Sequence, residues 1–128
     1  MNETIAFDPL SRTVIGLAIE VHRILGPGLL ESVYERCLCH ELTQNGVAFR
    51  RQVPVAVNYK GLILNCGYRL DIVVAEALII EIKAVDKLLP IHGAQILTYL
   101  KLTGIQTGLL MNFHSIVLRD GLKRMVLR

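Results

Sequence analysis

Long apolar runs are missing from this sequence. It is 52% hydrophobic with a mean hydropathy of +0.47, yet Glu, Lys, Arg, His or Gly breaks every apolar stretch within a few positions. A spanning helix needs roughly 20 consecutive apolar residues, so no membrane partner is expected. The opening stretch, MNETIAFDPLSRT, lacks the basic region and long apolar core of a secretion signal, which makes a cytoplasmic location the expectation. Cysteine is scarce: Cys37, Cys39 and Cys66 are an odd set without paired spacing, which fits reduced thiols rather than a disulfide framework. Cys37, Cys39 and His40 fall close together, but zinc sites normally use two separated ligand pairs, and residues two apart on a helix diverge. Aromatic residues make up only 5%, and no target-reading module is recognisable. Neither sign of charge dominates, with 14 Lys and Arg against 11 Asp and Glu, so a polyanionic partner is neither demanded nor excluded. Arg119, Lys123, Arg124 and Arg128 nevertheless crowd the C-terminal end. Repeats, linkers and low-complexity segments are absent, and 128 residues suffice for one domain with its own core, predicted over 1–128.

What is present alternates between two periods. Asp8-Pro9 reads as a helix N-cap followed by proline at the first helical position, and Val14, Leu17, Ala18, Val21, Ile24 and Leu25 then recur at helical spacing. Gly26-Pro27-Gly28 ends this helix, and a second is predicted over about 29–45, closed by Gly46. From Phe49 the period becomes two. Phe49, Arg51, Val53, Val55, Val57 and Tyr59 are expected on one strand face, Lys60-Gly61 makes the turn, and Pro54 points to a sheet edge. A strand over about 62–74 sets Tyr68, Leu70 and Ile72 opposite Arg69 and Asp71. The next sets Leu78, Ile80 and Ile82 opposite Ile79, Glu81 and Lys83. A helix over 90–103 ended by Gly104, a buried strand over 106–113 and a short last strand over 122–127 complete the order α-α-β-β-β-α-β-β. The strand–helix–strand unit implies parallel strands, hence an α/β fold with a mixed sheet flanked by helices.

The hairpin around Glu76 concentrates the chemistry. A three-residue turn at 75–77 makes Val74 face Leu78, Asp71 face Glu81 and Arg69 face Lys83. Carboxylates directly opposed on neighbouring strands sit about 4.5 to 5.5 Å apart and repel. A divalent cation compensates them economically, because Mg²⁺ is usually held by one or two carboxylates plus water and phosphate oxygens. Lys83 then projects beside the ion, placed to orient or deprotonate water or to neutralise a phosphate. The plainer alternative is a charged surface hairpin in which Lys83 pairs with Asp71 or Glu81.

Asp71 followed after a turn by Glu81-Ile82-Lys83 resembles the D…(D/E)XK signature of the restriction endonuclease-like, or PD-(D/E)XK, nucleases, with Leu70 where that name has proline. Gln95 and Tyr99 on the following helix resemble the QxxxY motif of RecB-type nucleases. Gly28-Leu29-Leu30-Glu31-Ser32-Val33-Tyr34 resembles the motif that names the GxxExxY family of the same superfamily. The likeness runs from about Ile15 to Leu127. It implies a restriction endonuclease-like core, with Asp71 and Glu81 as catalytic metal ligands, the Ile82 carbonyl as a third and Lys83 as the catalytic lysine. By the same likeness Glu31 faces the metal; alternatively it is a first-turn acid favoured by its helix dipole. Gln95 and Tyr99 are either substrate-binding residues or a polar helix face. Tyr34 reads as core.

Two functions of different class follow. One is phosphodiester hydrolysis with Mg²⁺ or Mn²⁺ on nucleic acid, DNA ahead of RNA. The other is a non-catalytic nucleic-acid-binding or assembly module that keeps the fold. An oily surface would also suit a homo-oligomer or a larger protein partner.

Overall fold

A computed structural model describes residues 8–127. Residues 1–7 and Arg128, the last of the C-terminal basic group, lie outside the described residues. Helix α1 (Pro9–Leu25) starts where the sequence predicts. The Asp8 carboxylate accepts the Ser11 N–H at 3.0 Å and the Ser11 hydroxyl at 2.6 Å, a cap of about 1 kcal/mol. Gly26, at φ +69°, ends the helix by giving its N–H to the His22 carbonyl. Helix α2 (Glu31–Gln44) has Leu30 at its N-cap and no side-chain cap bond there.

Strands β1 (Phe49–Tyr59), β2 (Leu62–Val74), β3 (Leu78–Lys83), β4 (Thr107–Asn112) and β5 (Leu122–Val126) form one sheet in sequence order. Only the β3–β4 pair is parallel, and helix α3 (Pro90–Thr103) makes the crossover between those two strands. The predicted mixed sheet flanked by helices is what forms.

Helices α1 and α2 cover one face. Val14, Ala18, Tyr34, Leu38 and Leu42 are buried there with Ile72, Val74, Ile80, Ile82 and Met111. Helix α3 covers the other, where Ile96, Tyr99 and Leu100 pack on Val55, Leu70, Val73 and Ile79. Each fully buried Ile or Leu contributes roughly 1.5–3 kcal/mol of transfer free energy. The run Leu78–Ile82 is buried on both faces, which its near-continuous apolar sequence requires in the middle layer. Gly108 lets α3 approach β4: a Cβ there would meet the Ile96 Cδ1 at 2.8 Å. No helix among the described residues is long and apolar enough to cross a membrane.

Two strand readings need correction. The predicted alternation puts Phe49, Val53 and Val55 on one face, and Leu70 with Ile72. In the structure Phe49 and Ile72 pack toward α1 and α2, while Val53, Val55 and Leu70 pack toward α3. Both strands exchange faces at Gln52 and Asp71, and the physical cause is the left-handed backbone of Gln52 at φ +53°, which periodicity does not reveal. The expected Arg69–Lys83 step is also absent, since β2–β3 pairing stops at Ile72–Ile80 and Arg69 reaches the Gln52 carbonyl at 3.4 Å instead.

Candidate active site

Beyond Ile72–Ile80 the ladder bonds between β2 and β3 give way to side-chain bonds. The Ile82 N–H donates to Asp71 Oδ2 at 2.8 Å, and the Asp71 N–H donates to Glu81 Oε1 at 3.3 Å. Each carboxylate thus takes a backbone donor from the opposite strand, which brings the two carboxyl groups together. The register anticipated from the hairpin, Val74 opposite Leu78, is the one observed.

Glu81 is 6% exposed. Burial and then the neighbouring Asp71 charge push its carboxyl group up to about 8, against the pull of the Asp71 N–H and of Lys83. Burial likewise raises Asp71, partly offset by the Ile82 N–H; Glu35 and Glu31 add to the rise and Lys83 opposes it. A carboxyl pair this dry keeps a proton unless positive charge arrives. The Lys83 ammonium favours the ionised form of both members, so the three side chains form one electrostatic unit.

Lys83 is held at the end of β3 by its neighbours in β4. Its carbonyl accepts the Phe113 N–H at 2.8 Å. The buried Asn112 side chain then binds both polar groups of Val85, accepting its N–H at 3.1 Å and donating to its carbonyl at 2.8 Å.

The N-terminal motif wraps this end of the sheet. Gly28 has φ +102°, a conformation that favours glycine. The Tyr34 hydroxyl donates to the Gly26 carbonyl at 2.6 Å and accepts the Leu29 N–H at 3.0 Å, pinning the turn between α1 and α2. Its fully buried ring stacks on Phe113 with centroids 4.6 Å apart. Glu31, in the first turn of α2, reaches the residue that follows β3, where its Oε2 accepts the Ala84 N–H at 3.2 Å.

On the α3 side Tyr99 is nearly buried, and burial first, then the charges of Glu81, Tyr68 and Asp71, raises its hydroxyl. Tyr99 is therefore within electrostatic reach of the carboxyl pair. With the exposed Gln95 and with Tyr68 it lines a groove of about 330 Å³. His92, one turn earlier, accepts the Leu89 N–H on Nδ1 at 2.9 Å and so caps its own helix. A larger cavity of about 680 Å³ lies at the opposite end of β3, beside Glu76 and Ala77, and contains neither member of the pair. Cys37, Cys39 and Cys66 are free thiols, and burial pushes that of Cys39 up to about 11.

The residue that sequence reasoning missed is Glu35. It is 5% exposed, bonds Arg51 and Gln52 at 2.7 Å each and acts on Asp71 through its charge. A signal existed: Glu35 stands four residues after Glu31 and shares its helix face.

Among the described residues no three His, Cys, Asp or Glu side chains are grouped to hold a metal ion; the donor set is a carboxylate pair. Two carboxylates are hard oxygen donors, and the chemistry fits a divalent cation that draws its remaining ligands from water and phosphate.

A profile of the PD-(D/E)XK nuclease superfamily matches residues 8–125. Nucleases of that superfamily generally use divalent metals. Comparison with curated proteins and with solved structures finds no significant match. The three helices, the five-stranded mixed sheet and a match over nearly all of the sequence lead to one conclusion: the chain belongs to the PD-(D/E)XK nuclease superfamily.

Proposed function

We propose that this protein hydrolyses phosphodiester bonds of nucleic acid, DNA ahead of RNA, with Mg²⁺ or Mn²⁺ held by Asp71 and Glu81. The observation that supports it is the approach of the buried Glu81 and the half-buried Asp71 carboxyl groups across two strands, beside Lys83. Two acids that burial keeps from ionising, one of them raised further by the other's charge, work against folding once both ionise, and a cation resolves the conflict. The Ile82 carbonyl is the third donor in this reading, and Glu31 closes the site from α2. When bound, the cation neutralises phosphate charge and lowers the pKa of an attacking water.

The protein's own groups supply the rest. Lys83 orients the water and balances charge building on the phosphate. Gln95 and Tyr99 line the approach from α3 and position the strand. The GxxExxY likeness gains support from the positive φ of Gly28, from the turn that Tyr34 closes and from the bond of Glu31 to the Ala84 N–H just after β3. The QxxxY likeness gains support from the place of Gln95 and Tyr99 in one groove.

The test is incubation of the purified protein with single- and double-stranded DNA and RNA, with Mg²⁺, with Mn²⁺ and with chelator. Cleavage that needs the metal and is lost in Lys83→Ala is the expected result. Metal binding without cleavage of any of the four substrates would leave the non-catalytic nucleic-acid-binding module as the better reading.

A further inference from the structure

From Phe49–Val74 to Val55–Tyr68 strands β1 and β2 keep one register, interrupted at a single step, and they shift register only beyond Val55. Arg51 faces Ile72 and Val53 faces Leu70, while Gln52 and Asp71 between them form no bridge pair. Gln52 has φ +53°, a left-handed backbone that a residue with a Cβ disfavours. The group that holds it there belongs to α2. One oxygen of the Glu35 carboxylate accepts Gln52 Nε2 at 2.7 Å, and the other accepts Arg51 Nε at 2.7 Å. Consecutive side chains of a regular strand point to opposite faces. Two of them can reach the same carboxylate only if the backbone between them leaves the strand conformation, as it does at Gln52.

The consequence crosses the ladder. Leu70 packs toward α3 and Ile72 toward α1 and α2, so β2 exchanges faces at Asp71. The Asp71 side chain is thereby turned toward β3, where its carboxylate takes the Ile82 N–H at 2.8 Å in place of a ladder carbonyl.

We infer that Glu35 is a positioning residue: by holding Gln52 in the left-handed backbone it keeps Asp71 turned toward Glu81. The catalytic consequence rests on the nuclease reading above, whereas the geometry does not. The hydrogen bonds of Glu35 go to Arg51 and Gln52, and it acts on Asp71 through Gln52.

The reporter is the Ile82 amide, whose acceptor is the Asp71 side chain, followed by NMR of the metal-free protein. Gln52→Ala removes the tether and leaves a residue that avoids positive φ, so the Ile82 amide resonance shifts and its hydrogen exchange accelerates. Gln52→Gly removes the same tether but accepts positive φ, so both stay as in the parent. Glu35→Ala behaves like Gln52→Ala, and adding Gln52→Gly to it restores the signal. Mn²⁺ affinity follows the same order, falling roughly 10- to 100-fold in the Ala variants and recovering with glycine. A general loss of stability would not be repaired by glycine at this one position. Should Glu35→Ala fail to fold, the two Gln52 substitutions decide alone. If they leave the Ile82 amide alike, Glu35 merely braces α2 against β1 and the inference is overturned. If the amide behaves as expected while no protein of the series binds Mn²⁺, the positioning stands and the metal-site reading is the one that fails.

Discussion

Asp71 donates its backbone N–H to the Glu81 carboxylate at 3.3 Å, and its own carboxylate accepts the N–H of Ile82, the residue after Glu81, at 2.8 Å. The two strands that carry these residues thus spend their last contact on opposed acids rather than on ladder bonds. Most of the expected behaviour of the protein descends from that pairing.

Stability without metal should fall as pH rises. In the folded state burial and the Asp71 charge push the Glu81 carboxyl up to about 8, from an ordinary value of 4.5. Below the lower value both states are protonated. Between the two, unfolding releases a proton, so the folded state loses ground until the pH passes about 8. Glu81→Gln mimics the protonated form, keeps an acceptor for the Asp71 N–H and should remove this dependence. The variant is expected to match the parent near pH 4.5 and to exceed it by a margin that grows until the pH reaches about 8. Urea unfolding of both proteins with chelator, across that range, makes the comparison. A constant difference between them would show that Glu81 does not titrate in this way.

Asp71→Asn should separate a cation site from a charged surface. Above about pH 8, where Glu81 is ionised as well, losing one of two opposed charges while nearly keeping shape stabilises the metal-free protein by about 0.5 to 1 kcal/mol. Millimolar Mg²⁺, Mn²⁺ or Ca²⁺ should raise the melting temperature of the parent by mass action and that of the variant far less. Destabilisation of the variant without metal, together with indifference of both proteins to the ions, would make Asp71 a structural partner and remove the physical basis of the nuclease reading.

Lys83→Ala should abolish cleavage with little change in melting temperature. The side chain lies at the end of β3 and is partly exposed, and the bonds that fix this end belong to the Lys83 carbonyl and the Asn112 side chain, which the substitution spares. Removing a group that stabilises charge or moves a proton in the transition state lowers a rate by roughly 100-fold or more. Gel assays of cleavage beside a thermal melt check both halves.

Tyr34→Phe should weaken the fold. The hydroxyl closes the turn between α1 and α2 through the Gly26 carbonyl and the Leu29 N–H, and its loss leaves both without that partner. About 1–2 kcal/mol of stability should disappear in urea unfolding. An unchanged midpoint would mean that the ring stacked on Phe113 supplies the whole contribution of Tyr34.

Much of this protein follows from its sequence through local physics. Asp8-Pro9 and Gly26 bound the first helix because capping and positive φ are properties of those residues. The turn at 75–77 sets the β2–β3 register because pairing is symmetric about a short turn, and with it the approach of Asp71 to Glu81. The two-faced burial of Leu78–Ile82 is legible in its apolar run. What the tertiary structure alone decided is how those acids are aimed. The left-handed Gln52 contradicts the local preference of its own strand and exists only because Glu35, seventeen residues earlier, is buried against it. Asn112 closes the chain after Lys83 from twenty-seven residues away. Periodicity records which face a residue prefers, but it cannot record a side-chain bond across the fold that overrides the preference, and the orientation of Asp71 depends on one.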